Sequence, residues 1–378
     1  MKKLKFVIAP DSFKESVSGF EASEAIKSGL ESVFCDAEFD IIPMADGGEG
    51  TSEVIVNAQK GEFKEVIVTG PLGEKLEARY GLLIKEKKAV IEVAEACGLH
   101  LVEESKRNPM YTTTFGVGEM ILDALNSGVE HLIIGLGGSS TNDGGLGMLQ
   151  ALGMIALDIE GNQLGFGGKE LIKLHKIDIS KIDNRIKNIS IEVACDVQNP
   201  FVGVSGATRI FGPQKGARGK IADELELGMV NFAKVIVETF GINISNIPKS
   251  GAAGGLGGAF ILLNGSLLRG VDLVLKHTRF EERIKGADFI ITGEGSIDAQ
   301  TKYGKTISGI AQIAKKYNIP TIVLAGMVGD NIGELYSMGV TSVFGIVDKP
   351  KSLEDALKDG YNSIKKTSVN IGRLIKAL

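Results

Sequence analysis

Apolar residues fall into two rhythms along the chain. "LKFVIAP" (residues 4–10) is a short apolar run of strand length, and "SGFEASEAIKSGLESVF" (18–34) then repeats Phe20, Ala25, Ile26, Leu30 and Val33 at helical spacing. "FDIIPMADGGEGT" (39–51) is a second strand ending in a glycine turn, and "SEVIVNAQKG" (52–61) reads as a helix stopped by Gly61. This β-α-β-α order predicts a parallel sheet. Residues 63–96 break the rhythm: short runs separated by turns and charges predict antiparallel hairpins. A strand, a glycine-rich loop and a helix follow over 132–154, a buried strand over 188–200 and a long helix over 220–241. From residue 286 the alternation resumes, with strands in 286–298, 321–326 and 340–347 and helices in 307–320, 331–339 and 353–376. The simplest architecture is α/β: a doubly wound Rossmann- or flavodoxin-like domain made from both chain ends (residues 1–64 plus 286–378), with a second α/β domain (residues 65–285) inserted into it.

Composition narrows the function more than the fold. The 378 residues suit two domains or three, and 43% hydrophobic residues suffice for ordinary cores. Fifty glycines cluster after apolar runs, as many strand-to-helix turns require. The net charge of −5 is spread among interspersed acids and bases, and aromatic residues make up only 6%, which argues against a nucleic-acid surface. Cys35, Cys97 and Cys195 are far apart and read as reduced thiols, so the expected location is cytoplasmic. "MKKLKFVIAP" is too short in its apolar part for a signal peptide, and no run approaches the length of a membrane span.

The candidate chemistry sits at the ends of strands. "LIIGLGGSSTNDGGLGMLQALG" (132–153) has the layout of an anion cradle: strand, glycine loop, helix start. It fits neither common nucleotide fingerprint, because Ser140 stands where a dinucleotide motif needs glycine and no lysine completes a P-loop. Acids recur just past apolar runs: Asp11, Asp46, Asp196, Glu294 and Asp298, with Asp143 inside the loop. Each alone is an ordinary turn or cap residue. Together, beside glycines and hydroxyls, they suit Mg²⁺, which takes oxygen ligands and phosphates, or a base for a substrate hydroxyl. "APDSFKES" (9–16) adds Ser12, Lys14 and Ser16, and "IFGPQKGARG" (210–219) adds Lys215 and Arg218 as a second possible anion clamp. "AQTKYGKT" (299–306) matches only the second half of a P-loop, and "SGAAGGLGGAF" (250–260) is either a close-packed turn or a nucleotide-facing wall. A dehydrogenase would need G-x-G-x-x-G where "APDSFKES" stands, and the usual periplasmic acid-binding protein carries a signal peptide.

Several of these stretches together resemble one family. "APDSFKES", "PMADGGEGT", "GLGGSSTNDGGLGMLQALG", "ACDVQNPFVG", "FGPQKGA", "GAAGGLGGA" and "ITGEGSIDAQT…GKT" are similar, in order and spacing, to the bacterial glycerate kinases of glycolate and glucarate breakdown. The resemblance implies phosphoryl transfer from ATP to D-glycerate with Mg²⁺, giving 2-phosphoglycerate. Attack by the 3-hydroxyl, giving 3-phosphoglycerate, and a non-enzymatic acid-binding protein are the alternatives. On this expectation Gly137, Gly138, Ser139, Ser140, Thr141, Asp143, Gly254 and Gly255 surround the nucleotide. Ser12, Lys14 and Lys215 meet the substrate, Glu294 and Asp298 hold Mg²⁺, and Asp196 is the base with Asp46 second. The expected partner is a small molecule, with no nucleic acid or membrane, and a homo-oligomer is left open.

Overall fold

The computed structural model describes residues 3–298, 301 and 306–378. It divides into two compact units, Met1–Asp46 with Val271–Leu378 and Gly47–Gly270. The sequence reading places these boundaries at 64/65 and 285/286. Residues 47–64 join the second unit because the helix Thr51–Gln59 is fixed there: Glu92, at the end of the strand Lys88–Glu92, accepts hydrogen bonds from the Ser52 N–H and hydroxyl at its first turn, both 2.8 Å. A β-α rhythm shows that a helix follows a strand, not which sheet it returns to.

In the first unit five strands pair in parallel in the order Val340–Gly345, Thr321–Val328, Phe289–Ile297, Lys5–Ile8, Glu38–Ile41. Numbered along the chain within this unit and read from the Glu38–Ile41 edge, that order is 2-1-3-4-5, the flavodoxin-like winding, which reverses direction between Lys5–Ile8 and Phe289–Ile297. Side chains alternate between two cores. Ile322 and Leu324 join Phe6, Ile8, Ala22, Ile26 and Ile364 on one face, while Val323 and Ala325 join Ile307, Ala311 and Leu335 on the other. Both faces of the sheet are thus covered, as parallel sheets require. The first helix, Gly19–Glu31, is set by a capping box: the Ser18 hydroxyl accepts from the Glu21 N–H (3.2 Å), and the Glu21 carboxylate accepts from the Ser18 N–H (2.8 Å).

The second unit holds a six-stranded sheet in the order Ser266–Leu268, Ser190–Ala194, His131–Gly135, Lys88–Glu92, Lys75–Leu83, Glu62–Thr69. The first four strands are parallel and the last two antiparallel, in keeping with the hairpins expected over 63–96. A two-stranded ribbon, Ile155–Leu157 with Lys176–Asp178, completes it. The large core of this unit includes Ile91, Met120, Leu132, Ile134, Val193, Phe201, Phe232 and Phe260. Among the described residues no helix is long and apolar enough to cross a membrane, and Cys35, Cys97 and Cys195 form no disulfide.

Candidate active site

In a doubly wound sheet, ligands bind beyond the carboxyl ends of the strands where the strand order reverses. The first unit has a cavity of ≈ 600 Å³ there. Asp11 and Ser12, just past the first strand, line it with Lys14, with Asp46 past the second and with Glu294 in the third. The Asp11 carboxylate accepts from the Thr306 hydroxyl (2.6 Å) and from the Ser12 N–H (2.7 Å). Burial, reinforced by the charge of Asp46, still outweighs those bonds and raises its pKa to about 6. Asp298 lies next to this group rather than in it. Its N–H donates to the Thr301 hydroxyl (3.1 Å), and that hydroxyl donates in turn to Glu294 at 3.4 Å. Ala299, Gly304 and Lys305 of the partial P-loop lie outside the described residues.

The glycine-rich loop belongs to the second unit, after the strand His131–Gly135. Most of its polar side chains face inward. Asp143 is fully buried and accepts from the Thr114 N–H (2.9 Å) and hydroxyl (2.8 Å), the Gly145 N–H (3.1 Å) and the Gly147 N–H (3.3 Å). Burial nevertheless raises its pKa. The Ser140 hydroxyl donates to the Cys97 carbonyl (2.9 Å), and Thr141 is fully buried. Gly254 and Gly255 pack on the loop itself. A Cβ on Gly254, at φ +68°, would lie 2.0 Å from the Thr141 carbonyl oxygen, and one on Gly255 would lie 2.7 Å from the Gly144 Cα. Close packing is therefore what these two glycines serve in this structure. Gly137 and Gly138 are the exposed members of the loop. Asp196 follows the strand Ser190–Ala194, is exposed, and accepts from the Gly270 N–H (2.9 Å).

Lys215, expected at the substrate, is 2% exposed. Its ammonium donates to the Ser139 hydroxyl (2.8 Å) and the Thr141 carbonyl (2.7 Å), so it fastens the glycine-rich loop from within. Burial lowers its pKa from 10.5 to about 8, opposed by Cys97 and Asp143. Replacing Lys215 by Met orphans both acceptors and is expected to cost about 1–3 kcal/mol at pH 7. Below about 8 the folded protein carries a buried charge; between about 8 and 10.5 it sheds the proton that the unfolded chain keeps. Wild-type stability therefore gains across that window from this group, and the variant has no such gain. Urea unfolding of both proteins at pH 7 and pH 10 should show the gap between them widening. A constant gap would mean that Lys215 is not buried as a charge.

Asp46, Glu294, Ser12 and Lys14, all candidates from the sequence, line one cavity. Asp11 reads from the sequence as only one strand-end acid among several. No sequence signal marks the apolar side of the cavity, where Met327, Ile346, Val347 and Leu357 stand, or Thr114, the chief anchor of Asp143.

The glycerate kinase family model matches residues 6–376. The chain belongs to the glycerate kinase family. A glycerate kinase of Halalkalibacterium halodurans is 49% identical over 97% of this chain and 96% of its own length. The glycerate 2-kinase of Escherichia coli K12 is 46% identical over 97% of each. A crystal structure described as that of a glycerate kinase 2 from Salmonella typhimurium LT2 has a TM-score of 0.90 at 44% identity, covering 100% of this chain and 99% of that one. Membership of this family makes the chain a kinase, an enzyme of phosphoryl transfer.

Proposed function

We propose that the chain transfers the terminal phosphoryl group of ATP to D-glycerate, with Mg²⁺, and that the product is 2-phosphoglycerate. The observation that carries this reading is the first unit's strand-end cavity, where Asp11, Asp46 and Glu294 line one wall with Ser12 and Lys14, in a chain of a kinase family. Among the described residues lining the cavity there is no histidine or cysteine. An all-oxygen donor set of this kind suits Mg²⁺ rather than zinc. Glu294 would hold the ion, with Asp298, whose backbone N–H is linked to Glu294 through the Thr301 hydroxyl, as the second carboxylate. Bound there, Mg²⁺ supplies positive charge that offsets the phosphate oxygens.

The rest of the work falls to positioning and charge, as phosphoryl transfer demands. Lys14, exposed at the cavity, meets anionic oxygens of the reactants together with the Ser12 hydroxyl. The exposed backbone at Gly137 and Gly138 offers N–H groups to an anion, and Ser139, Ser140, Thr141 and Asp143 shape that backbone from below. Asp196 takes the proton from the attacking hydroxyl, with Asp46 the second choice. The name glycerate 2-kinase of the E. coli relative supports the 2-position.

The test is transfer from Mg-ATP to D-glycerate coupled directly to enolase, without phosphoglycerate mutase. Signal is the expected outcome, because enolase consumes the 2-phospho product alone. ADP release with signal only after mutase is added would move the product to 3-phosphoglycerate. No ADP release with glycerate would sink the reading.

A further inference from the structure

The strand-end cavity has a second, apolar side that a three-carbon acid does not explain. The helix Leu353–Lys358 contributes Leu353, Ala356 and Leu357 to its lining. These positions are i, i+3 and i+4, so they form one face of that helix. The other face carries Glu354, Asp355 and Lys358. An amphipathic helix normally buries its apolar face in a core, yet this helix has no buried residue. Met327, in the strand Thr321–Val328, and Ile346 and Val347, just past the edge strand Val340–Gly345, line the same cavity. Lys351 also lines the cavity but is already paired with Asp359 (3.1 Å) and Asp348 (3.3 Å), so it offers little to an anion. Charge is gathered at the other end, with Asp11, Lys14, Asp46 and Glu294. At ≈ 600 Å³ the cavity falls in the range of sites for nucleoside-sized ligands and far exceeds the volume of glycerate.

We propose that this cavity takes the nucleoside of the phosphate donor, its purine base lying against Leu353, Ala356, Leu357, Met327, Ile346 and Val347. The phosphates then point toward the carboxylates and Lys14, where a bound divalent cation would offset the like charges. The nucleotide is thus held by residues of the first unit. The assignment rests on the kinase reading above.

Two variants test it. Ala356→Phe fills the cavity from the helix face, and Leu353→Asp puts a charge on the apolar wall at a side chain that is 75% exposed, where folding has little at stake. Binding of Mg-ADP, measured by calorimetry without glycerate, should weaken at least tenfold in each. The ATP KM should rise in parallel, with the glycerate KM within twofold of wild type. Unchanged Mg-ADP affinity in both variants, or a raised glycerate KM with an unchanged ATP KM, would overturn the assignment. Loss of the kinase reading has a different signature: wild-type protein that transfers no phosphate to glycerate. The Mg-ADP titration reports on the cavity in either case.

Discussion

Asp11→Asn should lower kcat/KM by about a hundredfold or more while making the fold more stable at pH 7. The two effects share one cause. The Asp11 carboxylate is buried beside Asp46, and its pKa rises from 3.8 to about 6. A carboxyl raised in this way favours folding below pH 3.8, where it is protonated in both states, and loses that advantage as pH climbs through 6. At pH 7 the folded protein therefore carries an ionised group that would be better solvated in the unfolded chain. Removing the charge should recover about 1–3 kcal/mol. Local bonding survives the change. The Asn oxygen still accepts from the Ser12 N–H, and the Thr306 hydroxyl, which now donates to Asp11, can accept from the Asn amide instead. Activity pays the cost, because the negative pole of the cavity loses one of its three carboxylates, and preorganised charge at a reacting centre carries large rate effects. Urea melts without added Mg²⁺ should show the variant above wild type at pH 7 and level with it near pH 4. A variant less stable than wild type at pH 7 would contradict the burial argument. Full activity would remove Asp11 from the site.

The parts of the molecule that were legible in the sequence are those set by local burial. Strand Lys5–Ile8 and helix Gly19–Glu31 carry their periodicity and their Ser18 cap within a few residues. The hairpins of 63–96 are marked by turns and charges in the same local way. The helix Phe115–Asn126 has no such signal, because Gly116 and Gly118 interrupt its first turn. Those glycines answer to distant backbone: a Cβ at Gly116 would lie 2.1 Å from the Thr69 carbonyl, and one at Gly118 2.5 Å from that of Met148. Asp11 illustrates the same limit at the site. Its partner Thr306 is 295 positions away, and only the 2-1-3-4-5 strand order brings them together. Lys215 sits among glycines as an exposed lysine would, and its burial follows from the loop that folds over it rather than from anything in "FGPQKGA". Sequence therefore named the strand-end residue types well. Which of them face ligand and which brace the loops depends on packing between segments far apart in the chain.

Asp196→Asn is the sharper test of mechanism, since it is expected to change chemistry and almost nothing else. Asp196 is exposed at the end of strand Ser190–Ala194, and the oxygen that accepts from the Gly270 N–H is present in Asn as well. No buried charge is created or removed, so thermal stability should stay close to that of wild type. On the proposed mechanism, what disappears is a base. Loss of a positioned proton acceptor typically lowers turnover by about 10²–10⁴-fold, and the fall should appear in kcat rather than in the KM for ATP, because the residue acts on the acceptor hydroxyl. Thermal stability and the KM for ATP separate this from a structural defect. A structural defect would instead lower thermal stability or raise the KM for ATP together with the fall in kcat. If Asp196→Asn keeps wild-type kcat, the proton must go elsewhere, and Asp46, already at the cavity with Asp11 and Glu294, becomes the base. If kcat falls by less than tenfold, Asp196 orients the acceptor without taking its proton, and Asp46→Asn then decides which group does.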